Sequence, residues 1–180
     1  GETISERAGV INLSLDGSLV LAAMFGFVAA QVSGSIEVGL AAAMLVGALI
    51  ALIVALAGIE LRQDQVAIGF VLTLLCADLA QFLGQDYAQQ RPVTQMLNLP
   101  LPVLNDIPVV GRIFFNQPPI VYFSYVLIFV TWYILFHTRA GLAHRAIGER
   151  PEAAFARGSH VNRLRYFYTI IGGALVGLAG

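Results

Sequence analysis

Residues 138–165 read TRAGLAHRAIGERPEAAFARGSHVNRLR, and this segment indicates how the chain is arranged in a membrane. It contains six of the ten cationic residues of the chain, all of them arginine, and it separates two long apolar runs. Arginine-rich segments beside membrane spans mark the cytoplasmic side of a membrane protein. The sequence therefore predicts a cytoplasmic loop at 138–165 that joins two transmembrane helices.

Composition places the whole chain in the membrane class. Hydrophobic residues make up 58% of the 180 residues and charged residues 12%, whereas about a quarter of the residues of a soluble domain are charged. The mean hydropathy is +0.78. We therefore expect an all-α, polytopic helical membrane protein.

Two residue counts exclude classes of function. The chain has no lysine, so it cannot contain the phosphate-binding loop of an ATPase, which needs a lysine at the phosphates. Its single cysteine, Cys76, excludes an internal disulfide and every multi-cysteine metal site. Cys76 lies in an apolar run and is expected to be a small packing residue. We predict no metal site and no cofactor bound by this chain itself.

Apolar runs predict five spans in a single transmembrane domain over 1–180, at about 10–32, 37–58, 66–84, 118–137 and 166–180. Segment 85–117 contains four prolines and is expected to form an external loop, with a short interfacial helix near 107–115. With 1–9 and 60–65 inside, eight arginines are cytoplasmic and two are external, as the positive-inside rule requires. Because the chain begins without methionine and stops inside an apolar run, we expect a fragment of a longer protein.

Small residues recur at every fourth position of the second predicted span: Gly39, Ala43, Gly47, Ala51 and Ala55. Such spacing lets helix backbones approach one another closely in lipid. We therefore assign this span to packing and not to chemistry.

The first predicted span carries polar residues in its first half. Asn12 and Asp16 are four positions apart, so a continuous helix would place them on one face. A carboxylate within a span normally faces a protein interior or a watery cavity, which makes it a candidate functional residue. Gly9 and Gly17 allow the helix to break here, as helices that line transporter binding sites do. The alternative is that Asp16 lies near the membrane surface and forms local hydrogen bonds.

The third predicted span carries Thr73, Asp78 and Gln81. Asp78 and Gln81 are three positions apart and share a helix face, which we expect to point inward. Asp78 either lines a solute pathway or holds two helices together, and the sequence favours neither.

A short helix is predicted within the cytoplasmic loop. Pro151 suits the first turn of a helix, Glu149 and Glu152 lie beside its positive end, and Gly158 suits its C-terminal end. The intervening residues include one large apolar side chain, Phe155. A capped helix on the cytoplasmic side of a membrane protein is expected to bind a soluble partner.

The residues from Gly141 to Gly180 also resemble a known family. The pattern includes Gly141-Leu142, Arg145-Ala146-Ile147-Gly148-Glu149, Pro151, Ala153-Ala154, Gly158, Val161, Arg165, Gly172-Gly173-Ala174-Leu175 and Gly177-Leu178-Ala179-Gly180. It resembles the coupling-helix region of bacterial ABC importer permeases of the branched-chain amino acid, ribose and nucleoside type. The opening segment 5–17, SERAGVINLSLDG, resembles the nucleoside and simple-sugar branch of that family.

The resemblance implies a permease of about eight to ten spans in the bacterial cytoplasmic membrane, in contact with lipid. It implies partner ATPase subunits that bind ATP and Mg, a second permease subunit, identical or homologous, and an external substrate-binding protein, but no nucleic acid. The ATPases would grip the coupling helix, with Phe155 as the apolar anchor. The coupling residues are Gly148, Glu149, Arg150, Pro151, Glu152, Ala153, Ala154, Phe155, Arg157 and Gly158.

The resemblance further implies a small polar solute, a nucleoside or a simple sugar. Hydrogen-bonding groups for it would come from Asn12, Asp16, Thr73, Asp78 and Gln81, and stacking surfaces from Phe25 or Phe70. The nucleoside branch usually has glutamate at the position of Asp16 and asparagine at that of Thr73. These two departures leave the identity of the solute open.

Two other classes of function are alternatives to an ABC importer. In an ion-driven secondary transporter, Asp16 and Asp78 would carry protons, but such a protein does not require the capped cytoplasmic helix. An intramembrane enzyme is disfavoured because His137, His144 and His160 all lie at or beyond the cytoplasmic end of a span, and no zinc-binding or nucleophile motif is present. We therefore predict no catalytic residues, and ATP hydrolysis is expected in partner subunits.

Overall fold

A computed structural model describes residues 1–87, 99–100, 116–158 and 160–180. Their contacts form two compact units, the first holding Gly1–Thr94 with Ala143–Gly180 and the second Gln95–Leu142. The single domain predicted over 1–180 stays a prediction.

The described elements are almost all helical. In chain order they are α1 (Glu2–Arg7), α2 (Leu15–Ser33), α3 (Ile36–Ala55), α4 (Gln65–Gly84), β1 (Leu99–Pro100), β2 (Asn116–Gln117), α5 (Pro119–His137), α6 (Arg139–Glu149), α7 (Pro151–Ala156) and α8 (Val161–Ala179). A π-helical turn, Leu56–Glu60, extends α3, and a 3₁₀ turn, Gln85–Tyr87, follows α4. The strands form one short antiparallel pair in which Leu99 faces Gln117 and Pro100 faces Asn116.

Within the part of the chain that the structure describes, four helical segments are long and apolar enough to cross a membrane: Leu15–Ser33, Ile36–Glu60, Gln65–Tyr87 and Pro119–His137. They contain most of the first four predicted spans, so the all-α membrane fold is confirmed. The fifth predicted span, 166–180, lies in α8 but is not among these segments. Its helix begins five residues earlier, at Val161, and the polar residues of those first turns lower its hydropathy.

The first unit is built around α3, which packs against α2 on one side and α8 on the other. Gly47 lies against the backbone of Gly173 and Gly177, and Gly39 lies against Gly26 and Ala30 of α2. A methyl group at Gly47 or Gly173 would overlap the facing backbone. The packing role predicted for the small residues of the second span is therefore confirmed within the first unit.

Helices α2 and α4 run parallel to each other. Gly17 near the start of α2 lies against Thr73, whereas Met24 further along lies against Gly84 near the end of α4. Between these levels Leu21, Cys76 and Ala80 form a buried cluster with Ile50 of α3, so Cys76 is the packing residue expected.

Three boundaries differ from the sequence predictions. Residues 1–9, for which the sequence predicted only a cytoplasmic location, contain a helix: Glu2–Arg7 form α1, which packs along α8 from the level of Gly172 to that of Arg165. The first span begins at Leu15 and not at residue 10. The loop predicted at 138–165 contains the helix α6, which hydropathy did not predict because many of its residues are polar. Most of the predicted external loop 85–117, including its helix near 107–115, lies outside the described residues.

Candidate functional site

The helical structure is interrupted between α1 and α2, at residues 8–14, which we call the broken segment. Gly9 has a φ of +83°, a backbone conformation that favours glycine, and it ends the first helix. Asn12 is buried, and its Oδ1 accepts hydrogen bonds from the Ser14 amide at 3.1 Å and from Ser14 Oγ at 2.6 Å. The break expected near Gly9 is confirmed, whereas Gly17 lies inside α2.

This geometry corrects the prediction for Asn12 and Asp16. Asn12 precedes α2, so the two residues do not share a helix face. The reason is local: an asparagine that hydrogen-bonds two residues ahead offers the backbone an alternative to helix. Ser18 extends this buried polar group by donating to the Ser14 carbonyl at 2.6 Å.

The broken segment is fixed to the middle of α4. Thr73 Oγ1 donates to the carbonyl oxygen of Leu13 at 2.9 Å, and Leu13 packs on Gly69. Gly17 lies against the Thr73 backbone, where a methyl group would overlap it. The structure thus brings Asn12, in the broken segment, and Asp16, in the first turn of α2, to the level of Thr73. We call the place where Leu13 and Gly17 contact Thr73 the α2–α4 crossing.

The other predicted pathway residues are distributed along the α2–α4 pair. Asp16 is exposed in the first turn of α2, and Phe70, one turn before Thr73, is 61% exposed. Phe25 is also exposed and lies further along α2. Asp78 and Gln81 are exposed on the side of α4 opposite Cys76, in contrast with the inward orientation expected. The small residues of α4 occupy its buried face and leave these two outside it.

The predicted coupling helix forms as α7. Pro151 is in its first turn with Glu152, and beyond its end the Gly158 amide donates to the Phe155 carbonyl at 2.8 Å with a φ of +85° at Gly158. Phe155 is 73% exposed, whereas its neighbour Ala154 is buried against Ile147 and Val161. The cap signals predicted at both ends are therefore confirmed.

Among the described residues, two shallow cavities border α7. One, of about 320 Å³, is lined by consecutive coupling residues: Glu149, Arg150, Pro151, Glu152 and Ala153. The other, of about 290 Å³, is lined by Phe155, His160, Val161, Asn162 and Arg163. The second cavity is lined in part by the exposed Phe155, and the first by three charged residues. A large apolar side chain with charged residues near it is the composition of an interface anchor and its rim.

Sequence reasoning missed a connection between α6 and the α1–α2 break. His144 is buried, and its Nε2 lies 2.8 Å from the carbonyl oxygen of Ile4. Gly148 lies against the Arg7 carbonyl group, and Arg165 donates to the carbonyl oxygens of Ala8 and Ile147. These contacts join residues up to 157 positions apart. The sequence offered one local signal of this close contact, Gly148 near the end of α6.

Burial also favours the neutral form of His144. It lowers the pKa of the imidazole below its usual value of 6.5, and the hydrogen bond with Ile4 opposes that shift. A carbonyl oxygen can only accept, so in the neutral ring the proton is on Nε2.

The chain matches, over residues 1–180, the family described as the permease component of branched-chain amino acid transport systems. The chain belongs to this permease family. The match includes both the α2–α4 crossing and α7, and it confirms the family indicated by the sequence. With the apolar helices, it makes the permease a multi-pass membrane protein.

Three relatives are similar to this chain over its whole length. The putative glucose ABC transporter permease protein TsgC13 of Haloferax volcanii is 35% identical, over 100% of this chain and 56% of the relative. The nucleoside ABC transporter permease protein NupC of Lactococcus lactis and the guanosine ABC transporter permease protein NupQ of Bacillus subtilis are each 35% identical, over 100% of this chain and 60% of the relative. The chain thus spans between half and two thirds of these relatives. No solved structure matches it.

Proposed function

We propose that this chain is part of the membrane subunit of an ATP-driven importer that moves a nucleoside or a simple sugar across the cytoplasmic membrane. The single observation that carries the proposal is the contrast on α7, where Phe155 is exposed and Ala154 is buried. A helix held firmly on one side and presenting one aromatic residue on the other suits a partner's groove.

In this proposal two ATPase subunits, which bind ATP and Mg, receive Phe155 as an anchor. Glu149, Arg150, Glu152 and Arg157 form the polar rim around it. The permease works with a second permease subunit and with an external binding protein that delivers the solute. Closure of the ATPase pair moves α7, and the movement switches the bundle between outward-open and inward-open states.

The solute class follows from the relatives and from the crossing of α2 with α4. The names of the three relatives refer to glucose, nucleosides and guanosine, all of them polar and hydroxylated. Asp16 is an exposed carboxylate at this crossing, and Phe70 is an exposed aromatic ring one turn from Thr73. A carboxylate accepts hydrogen bonds from sugar hydroxyls, and the ring offers a stacking surface.

The docking test uses the full-length permease reconstituted with its ATPase and binding protein. Phe155→Asp places a charge at the centre of the proposed contact and is expected to release the ATPase, measured by co-purification. Leu142→Asp is the matched control, because Leu142 is also exposed, at 58%, on the neighbouring helix α6. Retention of the ATPase by Phe155→Asp would refute the assignment of α7.

The pathway test uses the same reconstituted complex. Asp16→Ala is expected to keep the ATPase bound and to lose most nucleoside and sugar uptake, because the carboxylate acceptor is gone. Glu37→Ala, which removes an exposed carboxylate in the first turn of α3, is the control. Uptake by wild type in the complete absence of ATPase would instead favour a secondary transporter.

A further inference from the structure

The carbonyl oxygen of Ile147 lacks its ordinary helical partner. The last bond that continues the α6 pattern runs from the Arg150 amide to the Ala146 carbonyl at 2.9 Å. The next donor in register would be the amide of residue 151, but Pro151 has no N–H. Arg165 supplies the donor, since its Nη2 lies 3.3 Å from the Ile147 oxygen. The proline that starts α7 therefore leaves a carbonyl for Arg165.

The same guanidinium bonds the end of α1. Ala8 follows the last residue of that helix, and Arg165 Nε donates to its carbonyl oxygen at 3.2 Å. Both carbonyls are at helix C-termini, where the helix dipole is negative and a cation is stabilising. The planar guanidinium has separate donors in a fixed geometry, so it can hold two helix ends at once.

Packing around Arg165 leaves little room for the two helix ends to move independently. A methyl group at Gly9 would lie 3.0 Å from Arg165 Nη2 and 3.2 Å from the Gly148 Cα. One at Gly148 would overlap the Arg7 carbonyl. Ala154 of α7 and Ile147 of α6 belong to one buried cluster, so α7 is packed against the same helix end.

We propose that Arg165 is a positioning residue that links the coupling helix to the break between α1 and α2. This inference rests on the proposed function. Movement of α7 displaces the end of α6, and Arg165 transmits the displacement to Ala8. Residues 8–14 then shift against α4, where Leu13 is bonded to Thr73. The α2–α4 crossing thus changes shape when the ATPase closes.

The test compares Arg165→Met, Arg165→Lys and the control Arg139→Met in the full-length permease with its ATPase and binding protein. Arg139 is an exposed arginine at the start of α6, so its loss removes the same charge without touching the link. Each variant also carries Ile11→Cys in a background without other cysteines, because Ile11 is 48% exposed within the broken segment. Uptake, ATPase retention and the reactivity of this thiol with a charged reagent are measured, with and without ATP and vanadate.

Arg165→Met is expected to retain the ATPase and its basal hydrolysis but to lose uptake by about 5- to 150-fold, the usual range of a coupling interaction. Thiol reactivity at position 11 should respond to nucleotide in wild type and in Arg139→Met, and should stop responding in Arg165→Met. A merely structural role for Arg165 would not remove that response from an assembled complex.

The inference would be overturned if Arg165→Met and Arg139→Met showed equal uptake and an equal nucleotide-dependent change in thiol reactivity. If Arg165→Met does not fold, Arg165→Lys becomes the test of the link. Lysine keeps the positive charge but lacks the planar guanidinium that can donate to two carbonyl oxygens at once. A full response in Arg165→Lys then refutes the link. Absence of ATP-dependent uptake in wild type would refute the proposed function instead, which is a distinguishable result.

Discussion

His144 Nε2 lies 2.8 Å from the carbonyl oxygen of Ile4, and this contact ties α6 to α1 across 140 positions of sequence. The imidazole ring also packs on Tyr168 of α8, with 3.9 Å between ring centroids. One buried side chain of α6 therefore contacts two other helices, α1 and α8.

The stability of the permease should consequently depend on the protonation of His144. Burial lowers the pKa of this imidazole below 6.5 in the folded state, so the unfolded chain binds the proton more readily. The stabilisation is complete above about pH 6.5 and is lost as the pH falls towards the folded-state pKa. We expect the midpoint of thermal unfolding in detergent to decrease over this interval.

The variant His144→Gln should lose this part of the pH dependence, because its amide can donate to Ile4 but does not titrate. His160→Gln, which replaces an exposed histidine, should keep the wild-type profile. Identical profiles for wild type and His144→Gln would show that another group controls the pH response.

The break after α1 should be sensitive to any side chain at Gly9. Gly9 and Gly34 both have positive φ, +83° and +67°, but Gly34 has no neighbouring atom within 4 Å of an added methyl group. Gly34→Ala should cost about 1 kcal/mol of backbone strain. Gly9→Ala should cost about 1–3 kcal/mol more, because the methyl also crowds Arg165 and Gly148. Equal losses in chemical unfolding would contradict the close packing at this site.

Sequence patterns predicted the apolar helices and the ends of α7 because each rests on local chemistry. Periodic apolar residues define a span, and Pro151 and Gly158 are end signals that act within one helical turn. The prediction that Asn12 and Asp16 share a helix face was wrong, because the four-residue spacing assumes a continuous helix. Gly9 and Asn12 interrupt that helix. Spacing alone cannot show whether a backbone is helical.

The contacts between α6 and α1 could not be predicted from local sequence patterns, for a different reason. It depends on which helix surfaces meet, and His144 and Arg165 bond backbone carbonyls, groups that every residue carries. The prediction that Asp78 points inward was wrong for a similar reason. The small residues of α4, and not its polar ones, determine which face of the helix is buried.

The contact between α3 and α8 should not tolerate a larger residue. Gly47→Leu places a side chain where the backbone of Gly173 and Gly177 lies, and overpacking of this kind costs about 1–3 kcal/mol or more. Ala41→Leu makes a similar enlargement at an exposed position of the same helix and should be nearly neutral. Thermal unfolding of the two purified variants gives the comparison, and equal midpoints would contradict the packing.

The hydroxyl group of Thr73 should act on the shape of the pathway and not directly on the solute. It donates to the Leu13 carbonyl at 2.9 Å, so its first role is to hold the broken segment on α4. Thr73→Val keeps the volume but removes the donor, and it should lower the free energy of unfolding by about 0.5–1.5 kcal/mol, while Thr73→Ser retains the bond and the stability. Uptake measured across nucleoside concentrations separates the two roles. If Thr73 instead binds the solute, Thr73→Val will raise the KM with no loss of stability.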